Sequence, residues 1–246
     1  MILSYSKKFI YLRTIKVASS SLEFYFSQFC DTEDIITPLD NNEEKIKQKY
    51  GLPISQNNTY KSFSLSIKNI LKLNLYSNKR IHEHSSLDQL PRIKVKNIKN
   101  FYCFTFIRNP FDWIVSYFWW HLYHHKKKNI FYINNLSSKK IYILFKQFMK
   151  SECENFFVTN KGIISSKNMK IKVFKLEQLE KNIKIIKKKL KFKNEKIKIY
   201  DLNFKSLRIK KKIKLDLEDI KIILNTGSYF FDNFRYSKKV PSKYSF

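Results

Sequence analysis

Lys16 stands just ahead of three consecutive serines, Ser19, Ser20 and Ser21, in the stretch FIYLRTIKVASSSLE over 9–23. The apolar run Phe9-Ile10-Tyr11-Leu12 predicts a buried strand, and the periodicity from Leu22 predicts a helix. A strand, a tight turn carrying a lysine and a helix together make a cradle for an anion. Backbone N–H groups from Val17 and Ala18 through Ser21 would point at the ligand, the helix dipole favours negative charge, and Lys16 adds a point charge. The serine hydroxyls can cap the helix or donate to phosphate oxygens. An ordinary capped turn with a surface lysine has the same residues. The glycines and the G-K-[ST] order of a nucleoside-triphosphate loop are missing.

A second stretch, YCFTFIRNPFDWIVSYFWWHLY over 102–123, repeats the layout. Residues 102–107 are aromatic and β-prone and predict a buried strand, and Pro110 suits the first position of a helix. Apolar residues then recur at helical spacing through Trp113, Ile114, Tyr117, Phe118 and Trp120. Arg108 therefore falls at the C-terminal tip of a strand, and Ser116 about two turns into the helix that follows. Ligands of open α/β sheets bind at such strand tips. A guanidinium fork with a hydroxyl nearby suits a phosphate.

Histidine is rare here, yet two fall in RIHEHSSLDQLPR over 80–92. His84 is the candidate base for a hydroxyl proton, with His82 the lesser choice, because an imidazole titrates near ~6.5. Either would also suit an exposed loop. Ser85 and Ser86 with Asp88 and Gln89 predict a helix start. His121, His124 and His125 have no carboxylate or cysteine close in sequence and read as a solvated basic helix end running into Lys126–Lys128. Among Phe111, Trp113, Trp119 and Trp120 most must be core, with one or two free to line an adenine or sugar pocket.

TIKVASSSLE and FTFIRNPFDWIVSYF together resemble the two cofactor motifs of sulfotransferases that use 3′-phosphoadenosine 5′-phosphosulfate (PAPS), in their carbohydrate-type branch. That family typically reads IPKTAGTS-(I/L)-E and F-x-F-V-R-N-P-Y-D-R-x-V-S-x-Y. Here Ile15 takes the place of the usual proline and the first loop has no glycine. His84-Ser85-Ser86-Leu87-Asp88-Gln89 is similar to the family's H-A-(S/T)-A-x-E element. VFKLEQLEKNI, with Glu177 as its acid, is similar to a strand-to-helix element of the family. Asn203, Ser206 and Arg208 are similar to a loop that closes over the nucleotide, and Tyr229 to Tyr236 to a family-like ending. The resemblance implies a three-layer, P-loop-like α/β fold with a central, mostly parallel sheet flanked by helices. It implies sulfuryl transfer from PAPS to a hydroxyl, on a glycan acceptor, without a metal. Lys16 would serve catalysis with His84 as base. Lys16, Val17, Ala18, Ser19, Ser20, Ser21, Arg108, Ser116 and Ser206 would bind the cofactor. Glu177 is the alternative base, although a structural role at a helix start suits it better.

The chain has 246 residues, 43% of them hydrophobic and 16% aromatic, enough for one domain with a sizeable core over 1–246. Residues 31–100 would form a variable insertion shaping the acceptor side, and 237–246 a loose tail. A net charge of +29 favours anionic partners. Much of it is lysine beside abundant isoleucine, asparagine, phenylalanine and tyrosine, which AT-rich coding alone would produce. Three distant cysteines lack metal or disulfide spacing. MILSYSKKFIYL lacks an apolar run of the length a signal peptide or membrane anchor needs. Both features lead to the expectation of a cytoplasmic, microbial protein. Two other function classes remain open: a P-loop kinase of a nucleoside or small metabolite, disfavoured by the absent Walker motifs, and a non-enzymatic binder of nucleic acid or another polyanion, resting on charge alone.

Overall fold

The computed structural model describes residues 1–63, 76–90, 98–125, 129–166, 169–199 and 209–245. Asn203, Ser206 and Arg208, and Lys126–Lys128, lie outside the described residues. The chain is α/β, with a mixed five-stranded sheet and, among the described residues, eight α-helices.

Strands β1 (Ile2–Ser4) and β2 (Phe9–Leu12) form an antiparallel hairpin, with Ile2 opposite Tyr11. Strand β3 (Ile35–Ile36) pairs antiparallel with the other side of β1. Strands β4 (Thr59–Phe63) and β5 (Tyr76–Arg80) form a separate antiparallel pair. Strand β6 (Tyr102–Ile107) lies parallel to β2, and β7 (Lys172–Lys175) parallel to β6. The order across the main sheet is β3-β1-β2-β6-β7. The sheet is mixed: β2–β6 and β6–β7 pair parallel, β3–β1 and β1–β2 pair antiparallel, and β1 alone runs against the other four strands. The reason is chain length. The short link between Ser4 and Phe9 can close only an antiparallel hairpin, because a parallel neighbour needs a crossover of a dozen or more residues.

The helices are α1 (Ser19–Ser27), α2 (Asn41–Lys49), α3 (Pro110–His125), α4 (Ile130–Asn135), α5 (Ser138–Ile164), α6 (Leu179–Leu190), α7 (Leu217–Thr226) and α8 (Ser228–Phe234). Helix α5 starts at Ser137, whose hydroxyl accepts from the Lys140 N–H, and runs for 27 residues. Its buried apolar stripe runs from Ile141 to Ile164. Lys146 on α5 meets both Asp216 and Asp219 at the start of α7, at 2.6 and 2.7 Å. Gly227 separates α7 from α8. A Cβ there would lie 2.8 Å from the Ile223 carbonyl oxygen and 3.3 Å from the Phe157 ring, so only glycine fits.

Aromatic side chains fill the core beside β2 and β6. Alternate residues of a strand share a face, which puts Phe9 and Tyr11 together and Phe104 with Phe106. Phe26 of α1 packs onto them, its ring centroid 5.2 Å from Tyr11 and 5.0 Å from Phe104. Each such ring, fully buried, contributes about 1.5–3 kcal/mol. This packing fixes the axis of α1 against the sheet and so aims its N-terminus.

The segment 237–245 makes contacts with the rest of the fold. Lys243 pairs with Asp112 on the first turn of α3 at 2.7 Å, and the Leu215 N–H donates to the Tyr244 carbonyl. Cys30, Cys103 and Cys153 are all buried and unpaired as disulfides. No helix among the described residues is long and apolar enough to cross a membrane.

Candidate functional site

Because β2 and β6 are parallel neighbours, Leu12 opposite Thr105, their C-terminal tips emerge side by side. The residues after each tip line a single cavity of about 770 Å³. Lys16, Ala18, Ser19, Ser20 and Ser21 come from the first tip, Arg108 and Ser116 from the second, and His84 from the segment before β6. Val17 is fully buried and packs into the core.

The loop from 13 to 18 is bent hard. Lys16 and Ala18 have φ of 63° and 55°, the left-handed region, without glycine to ease it. Each costs on the order of 1 kcal/mol or more. Distant groups hold the bend. The Thr14 hydroxyl donates to the Phe106 carbonyl, bridging the two strand tips. The Ile15 N–H donates to Oδ1 of Asn160 on α5 at 2.8 Å, and Nε1–H of Trp113 on α3 donates to the Ile15 carbonyl. Trp113 is therefore core and buttress together.

A serine cap on α1 was expected. Ala18 occupies that position instead and makes no side-chain cap. The reason is the left-handed turn, since a capping side chain works from an extended backbone. Helix geometry leaves first-turn N–H groups without intrahelical acceptors, and Ser19, Ser20 and Ser21 line the cavity. The Ser20 hydroxyl accepts from the Arg13 guanidinium at 3.2 Å.

Arg108 sits in a regular connection. Asn109 starts α3: its Oδ1 accepts from the Phe111 N–H at 3.0 Å and its carbonyl from the Trp113 N–H at 2.8 Å. Pro110 takes the first helical position, where a missing N–H costs nothing. The Asn109 N–H donates to Glu177 Oε1 at 2.6 Å, and the Tyr236 hydroxyl to Glu177 Oε2 at 3.0 Å. Both Glu177 oxygens are thus engaged in holding the turn, and Glu177 does not line the cavity. Burial and then the Glu177 charge push the Tyr236 hydroxyl well above the ordinary phenol range.

His84 is held at one nitrogen. Its Nδ1 lies 2.7 Å from the Arg13 carbonyl. A carbonyl can only accept, so Nδ1 carries the proton and Nε2 the lone pair. Burial and the nearby Arg13 guanidinium push the His84 pKa down from 6.5 to about 4. The ring is therefore neutral at pH 7. Glu83 Oε1 lies 3.6 Å from Nε2. His82 is exposed and turns its backbone N–H to the Ser85 hydroxyl, away from the cavity lining.

Arg13 was not picked out by its sequence context, although it is one of only six arginines. Its guanidinium, buried beneath the cradle, pairs with Glu83 at 2.6 Å and Glu23 at 3.4 Å. Burial by itself would raise the Glu23 pKa. The α-amino group of Met1 and the Arg13 charge outweigh it and hold the carboxylate below its usual range. Trp119, Trp120 and Tyr117 line the cavity, whereas Phe111 and Trp113 are core. Lys16 Nζ lies 5.8 Å from the Trp120 ring centroid, and Tyr117 stacks on Trp120. Among the described residues no three His, Cys, Asp or Glu side chains gather as a metal site. The chain matches no protein-family model and no curated protein by sequence.

Proposed function

We propose that the chain is a sulfotransferase that moves the sulfuryl group of PAPS to an acceptor hydroxyl, on a glycan. The observation that carries this reading is the shared cavity. A lysine-bearing cradle, an arginine–serine pair and a neutral histidine, each on a separate stretch of sequence, converge on one volume. The motif resemblance supplies the particular nucleotide, and with it a P-loop-like layering of helices about the sheet and a cytoplasmic setting.

The residues present fit such a ligand. The site offers a helix start without a side-chain cap, a left-handed backbone at Lys16 and Ala18, and a volume in the range of small-ligand pockets. Lys16 and the first-turn N–H groups of α1 would hold the 5′ end of the nucleotide, and Arg108 with Ser116 the 3′-phosphate. Bound PAPS supplies an activated sulfuryl group with 3′,5′-phosphoadenosine as leaving group.

His84 Nε2 takes the acceptor hydroxyl proton as the new S–O bond forms. Glu83, at 3.6 Å, offsets the charge that then arises on the ring. Lys16 neutralises the charge that develops on the leaving phosphate oxygen as the old S–O bond breaks. Preorganised charge of this kind, in a site walled by Trp119 and Trp120, is the main lever available where the protein makes no covalent bond itself. Thermal stabilisation distinguishes the reading: 3′,5′-phosphoadenosine should raise the melting temperature well above the effect of equimolar ATP or AMP. A magnesium-dependent preference for ATP would replace it with a kinase.

A further inference from the structure

A smaller cavity of about 350 Å³ opens beside the main one and shares Arg108, Ser116 and Trp119 with it. Its remaining wall carries three lysines beside Val115, Ile213 and Tyr244: Lys211 and Lys212 on the approach to α7, and Lys243 from the segment after α8. Against these three lysines and Arg108 stands one carboxylate in the lining, Asp112. Like charges crowded at one volume repel, and an anion relieves them.

Lys243 differs from the others in how it is placed. Its segment closes a local turn and is fastened to the fold just beyond it. The Tyr244 carbonyl accepts from the Leu215 N–H at 2.9 Å, the Tyr244 N–H donates to the Pro241 carbonyl, and Lys214 reaches the Ser245 carbonyl. The backbone is thus fixed while the ammonium sits 2.7 Å from Asp112 Oδ1. The Lys243 side chain is 55% exposed and that of Asp112 only 15%. A half-exposed lysine on a fixed backbone can change partners at little cost, because its stem is flexible.

We infer that Lys243 is a further phosphate ligand, held on Asp112 until a nucleotide 3′-phosphate seats on Arg108 and Ser116. This rests on the nucleotide reading above. It makes the segment 241–245 part of the binding site and gives Asp112 the role of competitor for the lysine.

Calorimetric titration of the full chain with 3′,5′-phosphoadenosine and with 5′-AMP tests it. Lys243→Ala should weaken the bisphosphate about 3–10-fold, the scale of one partly exposed charge, and leave 5′-AMP within about twofold. Asp112→Asn should tighten the bisphosphate about 2–5-fold by removing the competitor. Equal losses on both nucleotides, no loss, or weaker bisphosphate binding by Asp112→Asn would overturn the inference while a wild-type preference for the bisphosphate leaves the nucleotide reading standing. Equal wild-type affinity for the two nucleotides would sink both together.

Discussion

The connection from β6 to α3 takes two residues, 108 and 109, whereas that from β2 to α1 takes six, 13 to 18, two of them left-handed. Both deliver a cation to the same cavity. Arg108 is placed by local rules: a strand end, an asparagine cap and a proline at the first helical position. Lys16 is placed by partners 92 to 145 residues away in sequence, through Phe106, Trp113 and Asn160. One tip takes its shape from its own residues and is fastened by Glu177, 68 residues on. The other holds backbone strain that only the assembled fold sustains. The short connection takes its course from local sequence and only its fastening from afar, while the strained loop makes Lys16 hostage to packing elsewhere.

The sharpest way to break the pairing is Lys16→Ala. Turnover, read as release of 3′,5′-phosphoadenosine from PAPS in the presence of hydroxylated acceptors, should fall about 10²–10³-fold. The unfolding midpoint should stay put. Arg108→Ala should act on the other side of the comparison. Calorimetry should show affinity for 3′,5′-phosphoadenosine reduced by about 1.5–3 kcal/mol, with 5′-AMP little changed. Unchanged affinity for the bisphosphate would remove Arg108 from the phosphate seat.

Asn160→Ala separates the two tips at a distance. The half-buried Ile15 N–H loses its acceptor, which costs about 1 kcal/mol in denaturant unfolding. Turnover should drop while the contribution of Arg108 to bisphosphate affinity remains. Equal damage to both would mean that the tips are not independent.

His84 gives a pH signature on the strained side. Its folded pKa, about 4, lies below its ordinary 6.5, so the unfolded chain takes the proton first. Stability is whole above about 6.5 and drains as pH falls towards 4, by about 2 kcal/mol. His84→Gln should lack that part of the slope in melting curves between pH 7 and 4.5. The mildest change is Ala18→Gly. At φ 55° on an exposed residue, removing the Cβ should raise stability by about 0.5–1 kcal/mol. A loss on thermal melting would mean that the left-handed turn carries no strain.

The same contrast explains what could be read from the chain alone. Strands β2 and β6, helix α3 and the place of Arg108 are written in local pattern: an apolar run, then R-N-P, then helical spacing. The fate of 35–36 is not, because two residues pair as a strand only once β1 exists to receive them. A serine cap was a sound local inference at 19–21, yet the turn adopted at Ala18 displaced it. Arg13 follows an apolar strand like any exposed basic residue. Its burial depends on Glu23 and Glu83, which approach it only in three dimensions. The reach of α5 to Asn160 is legible as apolar periodicity once the stripe is followed past Phe148. That Asn160 would receive the Ile15 N–H is not, because nothing near either residue encodes the other.

Glu177 clasps the amide of Asn109 and the phenol of Tyr236 at once. During translation the arginine-bearing turn emerges long before its final fastening can exist. Domains fold as their residues leave the ribosome, but this pocket must wait until residue 236 has emerged. A chain halted short of residue 236 would keep its strands and lack a finished grip.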